Sequence, residues 1–285
     1  GVVISVDTYN IGTHFYNFKS PDLVIKKILR SSISDLICKG VKPKYYFISG
    51  SGNKKSFSKI NLKKISSSLN QEQKKYSIYL SGGDTVFSKK LSFTITTIGF
   101  SNKIISRNRA KVNDDIYVTG NLGDSFIGLK ILKKKLNLSK ILNNYFQKKY
   151  FCPEIYTNIS KKLLSLANTS IDISDGLIAD LEKLINKQKL SYILYFKDIP
   201  VSKNLKKLIN LKKIKKQTCI SRGDDYQILF TASRSKSRII AQSFKDLGIK
   251  VSKIGKICPV SQKSQIIDEK NKNITLKNKG YFHSF

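Results

Sequence analysis

The sequence predicts an α/β or α+β protein of two domains. Strand-like and helix-like segments alternate along the chain. Its 285 residues suffice for two separate cores. A second series of strands and helices begins near Asp115, which puts the boundary near residue 112 and the domains at 1–112 and 113–285.

In order, Val2–Val6 reads as a buried strand ending at Asp7. Pro21–Lys39 reads as a helix, with Leu23, Val24, Ile28, Ile33, Leu36 and Ile37 near helical spacing and Gly40 as its stop. Tyr45–Ser49, Tyr76–Leu80 and Leu91–Phe100 read as strands, the last alternating through Phe93, Ile95 and Thr97. Ile116–Thr119 is a strand, followed by a glycine-containing turn and a helix to about Leu138. A further helix is expected over Pro153–Ala167. The strand Ser170–Ile173 meets Ser174-Asp175-Gly176 and a helix beginning at Leu177. Tyr226–Ala232 and Val251–Ile254 read as late strands with a helix between them.

The composition is globular, 40% hydrophobic and 25% charged, and no apolar run approaches the ~20 residues of a membrane span. The four cysteines have no CxxC spacing, so free thiols in the cytoplasm are expected. The chain begins at Gly1 and contains no methionine, so its natural beginning is expected to lie upstream. The net charge of +34 makes nucleic-acid binding electrostatically feasible. Of the 53 basic residues, however, 47 are lysines spread over every segment, and the six arginines are too few for a dedicated base-reading surface. A solvated lysine-rich surface is the favoured reading.

Only 19 residues are acidic, and several aspartates stand at or near the ends of apolar segments: Asp7, Asp84, Asp172, Asp175, Asp224 and Asp225. Asp35 lies on the first helix. Short carboxylates are hard oxygen ligands suited to Mg²⁺, which binds phosphates while keeping waters. Phosphoryl transfer is driven by positioning and by cations that neutralise phosphate oxygens. Glycines beside Asp84, Asp175 and Asp224 let backbone approach phosphates. Singly, each such aspartate is as readily a turn or cap residue, and Asp124 is assigned to that structural class. There is no Walker A sequence and no kinase glycine-rich loop.

The ordered set resembles the thiamine-monophosphate kinase family. It runs through Ser5-Val6-Asp7-Thr8 with Gly12-Thr13-His14-Phe15, Ser34-Asp35-Leu36, Gly82-Gly83-Asp84-Thr85, Ser106-Arg107, Ile171-Asp172-Ile173-Ser174-Asp175-Gly176-Leu177, Gly223-Asp224-Asp225-Tyr226 and Lys279-Gly280-Tyr281. The resemblance spans essentially the whole chain. It implies the fold of aminoimidazole ribonucleotide synthetase, with the N-terminal sheet pairing across a homodimer. It implies direct transfer of phosphate from ATP to thiamine monophosphate, with several Mg²⁺ ions and no phosphoenzyme. By the same resemblance, Ser5, Asp7, Asp35, Asp84, Asp172 and Asp175 hold Mg²⁺. Gly83, Asp84, Arg107 and Ser174 contact ATP, and His14, Asp224 and Tyr281 contact thiamine monophosphate.

Several positions depart from the family pattern. Val6 replaces a threonine beside Asp7, Arg222 stands where glycine is usual, Asp224 replaces a longer glutamate, and Gln227 replaces another. A family segment upstream of the first strand, carrying an acidic metal ligand, is not in this sequence. Two other readings stay open. One is another ATP enzyme of the same superfamily, such as a selenide water dikinase or an amidine-forming synthetase. The other is a non-catalytic, lysine-rich member that binds RNA or a partner.

Overall fold

In the computed structural model, which describes residues 1–281, the first apolar run forms β1 (Val2–Asn10). It is longer than expected, so Asp7 lies inside the strand. Pro21 opens α1 (Pro21–Cys38), where its missing N–H costs nothing. β2 (Pro43–Gly52) leads into α2 (Lys59–Tyr76), whose Ser58 side chain caps the Asn61 N–H, and then into β3 (Tyr79–Phe87) and β4 (Ser92–Phe100). The expected strand at Tyr76–Leu80 is therefore corrected. Tyr76 closes a helix, Ser77 turns the chain with φ 53°, and the strand starts at Tyr79 to run through Gly82-Gly83-Asp84.

These four strands pair in the order β1-β4-β2-β3. β2 and β3 are parallel, so a crossover is required, and α2 supplies it. α2 is lysine-rich and exposed on much of its surface, which hid its helical period. One face of the sheet packs on α1. The other is uncovered and carries Val2, Ile4, Val6, Phe47 and Phe100, all more than a third exposed.

The second sheet comprises β5 (Asp115–Thr119), β6 (Thr169–Asp172), β7 (Leu190–Tyr195), β8 (Ile228–Ala232), β9 (Val251–Pro259) and β10 (Gln265–Ile267), in the order β10-β7-β9-β5-β8-β6. The helix expected to about Leu138 is shorter: α3 (Asp124–Leu132) stops just before Lys134 takes a positive φ of 56°, and a separate helix that was not expected, α4 (Lys140–Phe151), follows. Pro153–Ala167 is helical only over α5 (Ser160–Leu166) and the short turn before it. α6 (Leu177–Ile185), α7 (Lys203–Asn210), α8 (Lys216–Ile220) and α9 (Ser237–Asp246) complete the helices of the described residues.

α1 is buried almost all round, because it lies between the first sheet, α2 and β6. Arg30 on this helix donates to both carboxylate oxygens of Glu72 on α2 at 2.7 and 2.9 Å, and to Pro153 O at 3.1 Å. A planar guanidinium suits that fork. No helix of the described residues is long and apolar enough to cross a membrane.

Candidate active site

The polar residues of α1 follow a helical stripe: Lys27, Ser31, Ser34, Asp35 and Cys38. That stripe faces the neighbouring strands and brings three carboxylates together. Asp7, on the α1 side of β1, lies against Asp35. Ser5, one pleat earlier on the same side, donates to Asp35 Oδ2 at 2.7 Å. Asp172, at the end of β6, accepts from Ser34 Oγ. Asp7 Oδ2 is buried and finds no hydrogen-bond partner among the described residues.

Burial raises the pKa of all three carboxyls, and they raise one another's further. Asp35 is pushed up to about 6, by burial and then by the Asp7 charge. Asp172 rises to about 7, by burial and then by the Asp35 charge. Asp7 is raised by burial, with the Asp172 charge adding to it. Such a cluster, built from three separate elements, is costly without a cation.

Asp7, Asp35 and Asp172 open into a cleft of about 800 Å³ between the two sheets. Ser174, Asp175, His14, Asp224 and Tyr281 also line it. His14 accepts from the Asn10 N–H through Nδ1 at 3.0 Å and packs edge-on against Tyr9. The Tyr281 N–H donates to Asp175 O at 2.9 Å, which brings the C-terminal segment to the cleft. The loop of residues 222–226 packs tightly on residues 173–176. Asp224 N and Tyr226 N donate to Ser174 O and Ile173 O, and a Cβ on Gly223 would lie 1.7 Å from Ser174 O. Glycine is obligatory there for packing.

Three of the expected site residues stand apart: Asp84, Gly83 and Arg107. Asp84, Ser49, Thr94 and Thr8 form one cross-strand row, so Asp84 shares a face with Thr8, opposite to the face of Asp7. It is exposed on β3, three strands from β1, or about 14 Å. Gly83 lies beside it, and a Cβ there would meet Ile48 O at 2.0 Å. Arg107 is exposed; its neighbour Asn108 is tied to Leu184 O at the far end of α6. Asp124 is not a cap. Its carboxylate is buried, accepting from Ser202 Oγ at 2.7 Å and Tyr145 Oη at 2.8 Å, while Asp225 accepts the Gly123 N–H at 2.8 Å and so serves the start of α3.

Other residues of the site were not expected. Lys27, 1% exposed, places Nζ 2.7 Å from Asp224 Oδ1 and 4.0 Å from the centre of the Tyr150 ring. Its signal was the polar stripe of α1. Lys130, Lys133, Lys135 and Arg222 also line the cleft and make part of its wall basic. Phe126 lies between Lys130 and Arg222, with cation-to-ring distances of 5.5 and 5.8 Å. Asp175 is ion-paired with Lys183.

Two sheets joined across a carboxylate-lined cleft define an AIR-synthase-like α/β protein, and residues 1–101 match the family model "AIR synthase related protein, N-terminal domain". A curated thiamine-monophosphate kinase of Buchnera aphidicola (from Acyrthosiphon pisum, strain APS) is 35% identical over 99% of this chain and 87% of its own length. That of Haemophilus influenzae is 30% identical over 99% and 86%. The solved structure of AaThiL complexed with AMPPCP and TMP superposes with a TM-score of 0.84 at 23% identity, covering 99% of this chain and 87% of that one. The chain belongs to the thiamine-monophosphate kinase family.

Proposed function

We propose that the chain transfers the γ-phosphoryl group of ATP to the phosphate of thiamine monophosphate, giving thiamine diphosphate and ADP. An acceptor phosphate oxygen attacks the γ-phosphorus and the bond to the β-phosphate oxygen breaks, so no covalent enzyme intermediate is needed. The observation that carries this reading is the convergence of half-buried Asp7 and Asp35 and buried Asp172 on a cleft wide enough for both substrates.

Mg²⁺ fits these residues. The donors are hard oxygens, and Asp7 Oδ2 is unpartnered among the described residues. No three His, Cys, Asp or Glu side chains of the described residues form a ready cage. That suits an ion held by one or two carboxylates together with substrate phosphates and waters. Shared among Ser5, Asp7, Asp35 and Asp172, with no more than two carboxylates to an ion, Mg²⁺ would neutralise phosphate oxygens as charge shifts to the leaving group. Ser174 faces the nucleotide, and His14, Asp224 and Tyr281 orient the thiamine end. Lys130, Lys133 and Arg222 draw anionic substrates into the cleft.

The active form is a homodimer, formed by stacking the uncovered face of the first sheet on that of a second copy. The exposed Val2, Ile4, Val6, Phe47 and Phe100 support this, as an apolar face of this kind is the usual mark of an interface. The arrangement gives Gly83 and Asp84 a role, because they stand on the side where the second copy docks. The four free cysteines and the biosynthetic reaction suit the cytoplasm.

The reaction is tested by incubating the chain with ATP, Mg²⁺ and thiamine monophosphate and measuring thiamine diphosphate. A folded chain that binds ATP and forms none would exclude this activity. The shared site is tested by mixing inactive Asp7→Asn and Asp84→Asn proteins. Mixed dimers would contain one intact site, so activity should return to about a quarter of wild type for random pairing. No recovery after verified exchange would reject the dimeric site.

A further inference from the structure

Asp175 stands two residues before α6, in the loop that lines the cleft. Lys183, two turns into that helix, ion-pairs with Asp175 Oδ2 and reaches Asp180 Oδ1 at 3.3 Å. Helical side chains lean toward the N-terminus of their helix, so Lys183 lies back over Asp180 and brings its ammonium to the cleft end of α6. The helix dipole disfavours a cation at that end, and the two carboxylates hold it there. Asp180 is itself fixed, 1% exposed in its side chain and accepting the N–H groups of Asp175 and Gly176 at 2.9 and 3.0 Å. Burial works to lower the lysine's pKa, but the hydrogen bond to Asp175 and the charge of Asp180 lead to a net rise. Of the cleft carboxylates Asp7, Asp35, Asp172 and Asp175, only Asp175 is in an ion pair among the described residues.

We propose that the Lys183 ammonium is a tethered replacement for one divalent cation, neutralising Asp175 and offering its third N–H to a phosphate oxygen of the bound nucleotide. The inference rests on the reading of this cleft as an ATP–Mg²⁺ site. An ammonium has three donors, and the two carboxylates engage two of them. The side chain is 37% exposed, which leaves a path for the third. A tethered charge is not lost by dilution, so neutralisation at Asp175 persists when free Mg²⁺ is scarce.

The test is a count of Mn²⁺ bound per chain by equilibrium dialysis with a non-hydrolysable ATP analogue. It compares the wild type, Lys183→Met, Lys183→Gln and the Lys183→Met/Asp175→Asn double variant. Both lysine variants should bind one further Mn²⁺ at the same free concentration, and the double variant should lose it again. Equal Mn²⁺ on the wild type and both single variants would overturn the replacement and leave the metal-dependent reading standing. If none of the four proteins binds Mn²⁺, both are overturned.

Discussion

At the residue scale, Asp84 and Gly223 illustrate opposite demands. Asp84 is exposed, and its Oδ1 accepts the N–H of its neighbour Thr85 at 2.7 Å. Asp84→Asn removes charge and little volume, so thermal stability should change by under about 0.5 kcal/mol while thiamine diphosphate formation is lost. Wild-type turnover in that variant would remove Asp84 from the site. Gly223→Ala forces a Cβ against Ser174 O. It should cost about 1–3 kcal/mol in denaturant unfolding, because the adjoining backbone has to move. Asp7, Asp35 and Asp172 were recognisable from the sequence, since a carboxylate beside an apolar run in so basic a chain calls for a purpose. The side of the sheet on which Asp84 falls was not, because it depends on a pairing register set by β2 and α2.

At the element scale, α1 joins the two halves of the cleft. Its Lys27 reaches Asp224, which sits in the left-handed region at φ 68° and also accepts from Tyr226 Oη at 3.1 Å. Lys27→Met should cost about 1–3 kcal/mol by chemical denaturation. That is less than for a fully buried pair, because the Asp224 side chain is 28% exposed. If Asp224 orients the thiamine end, the KM for thiamine monophosphate should rise more than that for ATP. The junction of α1 and β6 also governs response to pH. Asp172 titrates at about 7 in the fold, above the 3.8 of a free aspartate, from burial and then the Asp35 charge. The folded state therefore holds a proton that the unfolded chain gives up, and stability falls as pH rises from about 4 through about 7. Without divalent cations, Asp172→Asn should melt about 2–4 °C above wild type at pH 8, and the gap should close near pH 5. An equal melting temperature at pH 8 would argue against a raised carboxyl. The apolar period of α1 made that helix legible, whereas α2, α4 and α7 were missed. Their lysines and asparagines cover exposed faces, and short amphipathic helices depend on tertiary packing for stability.

At the scale of the whole molecule, the alternation of strands and helices gave the architecture correctly, and the division into two sheets follows it. What no local pattern carries is the use of a sheet with one bare face. Ile4, 58% exposed at the centre of β1, lies on that face. On the homodimer proposed above, Ile4→Glu should shift the protein to monomer in analytical ultracentrifugation and abolish kinase activity with it, since a monomer keeps Asp84 about 14 Å from β1. A fully active monomer would show that one chain suffices.

The three clustered aspartates are also a small store of acid. With Asp35 near 6 and Asp172 near 7, part of the cluster is protonated at neutral pH. A cation that settles among these oxygens must displace those protons. In weakly buffered solution, adding Mg²⁺ and nucleotide should therefore acidify the medium, and the apparent affinity for the metal should tighten as pH rises through about 6 to 7 and then level off.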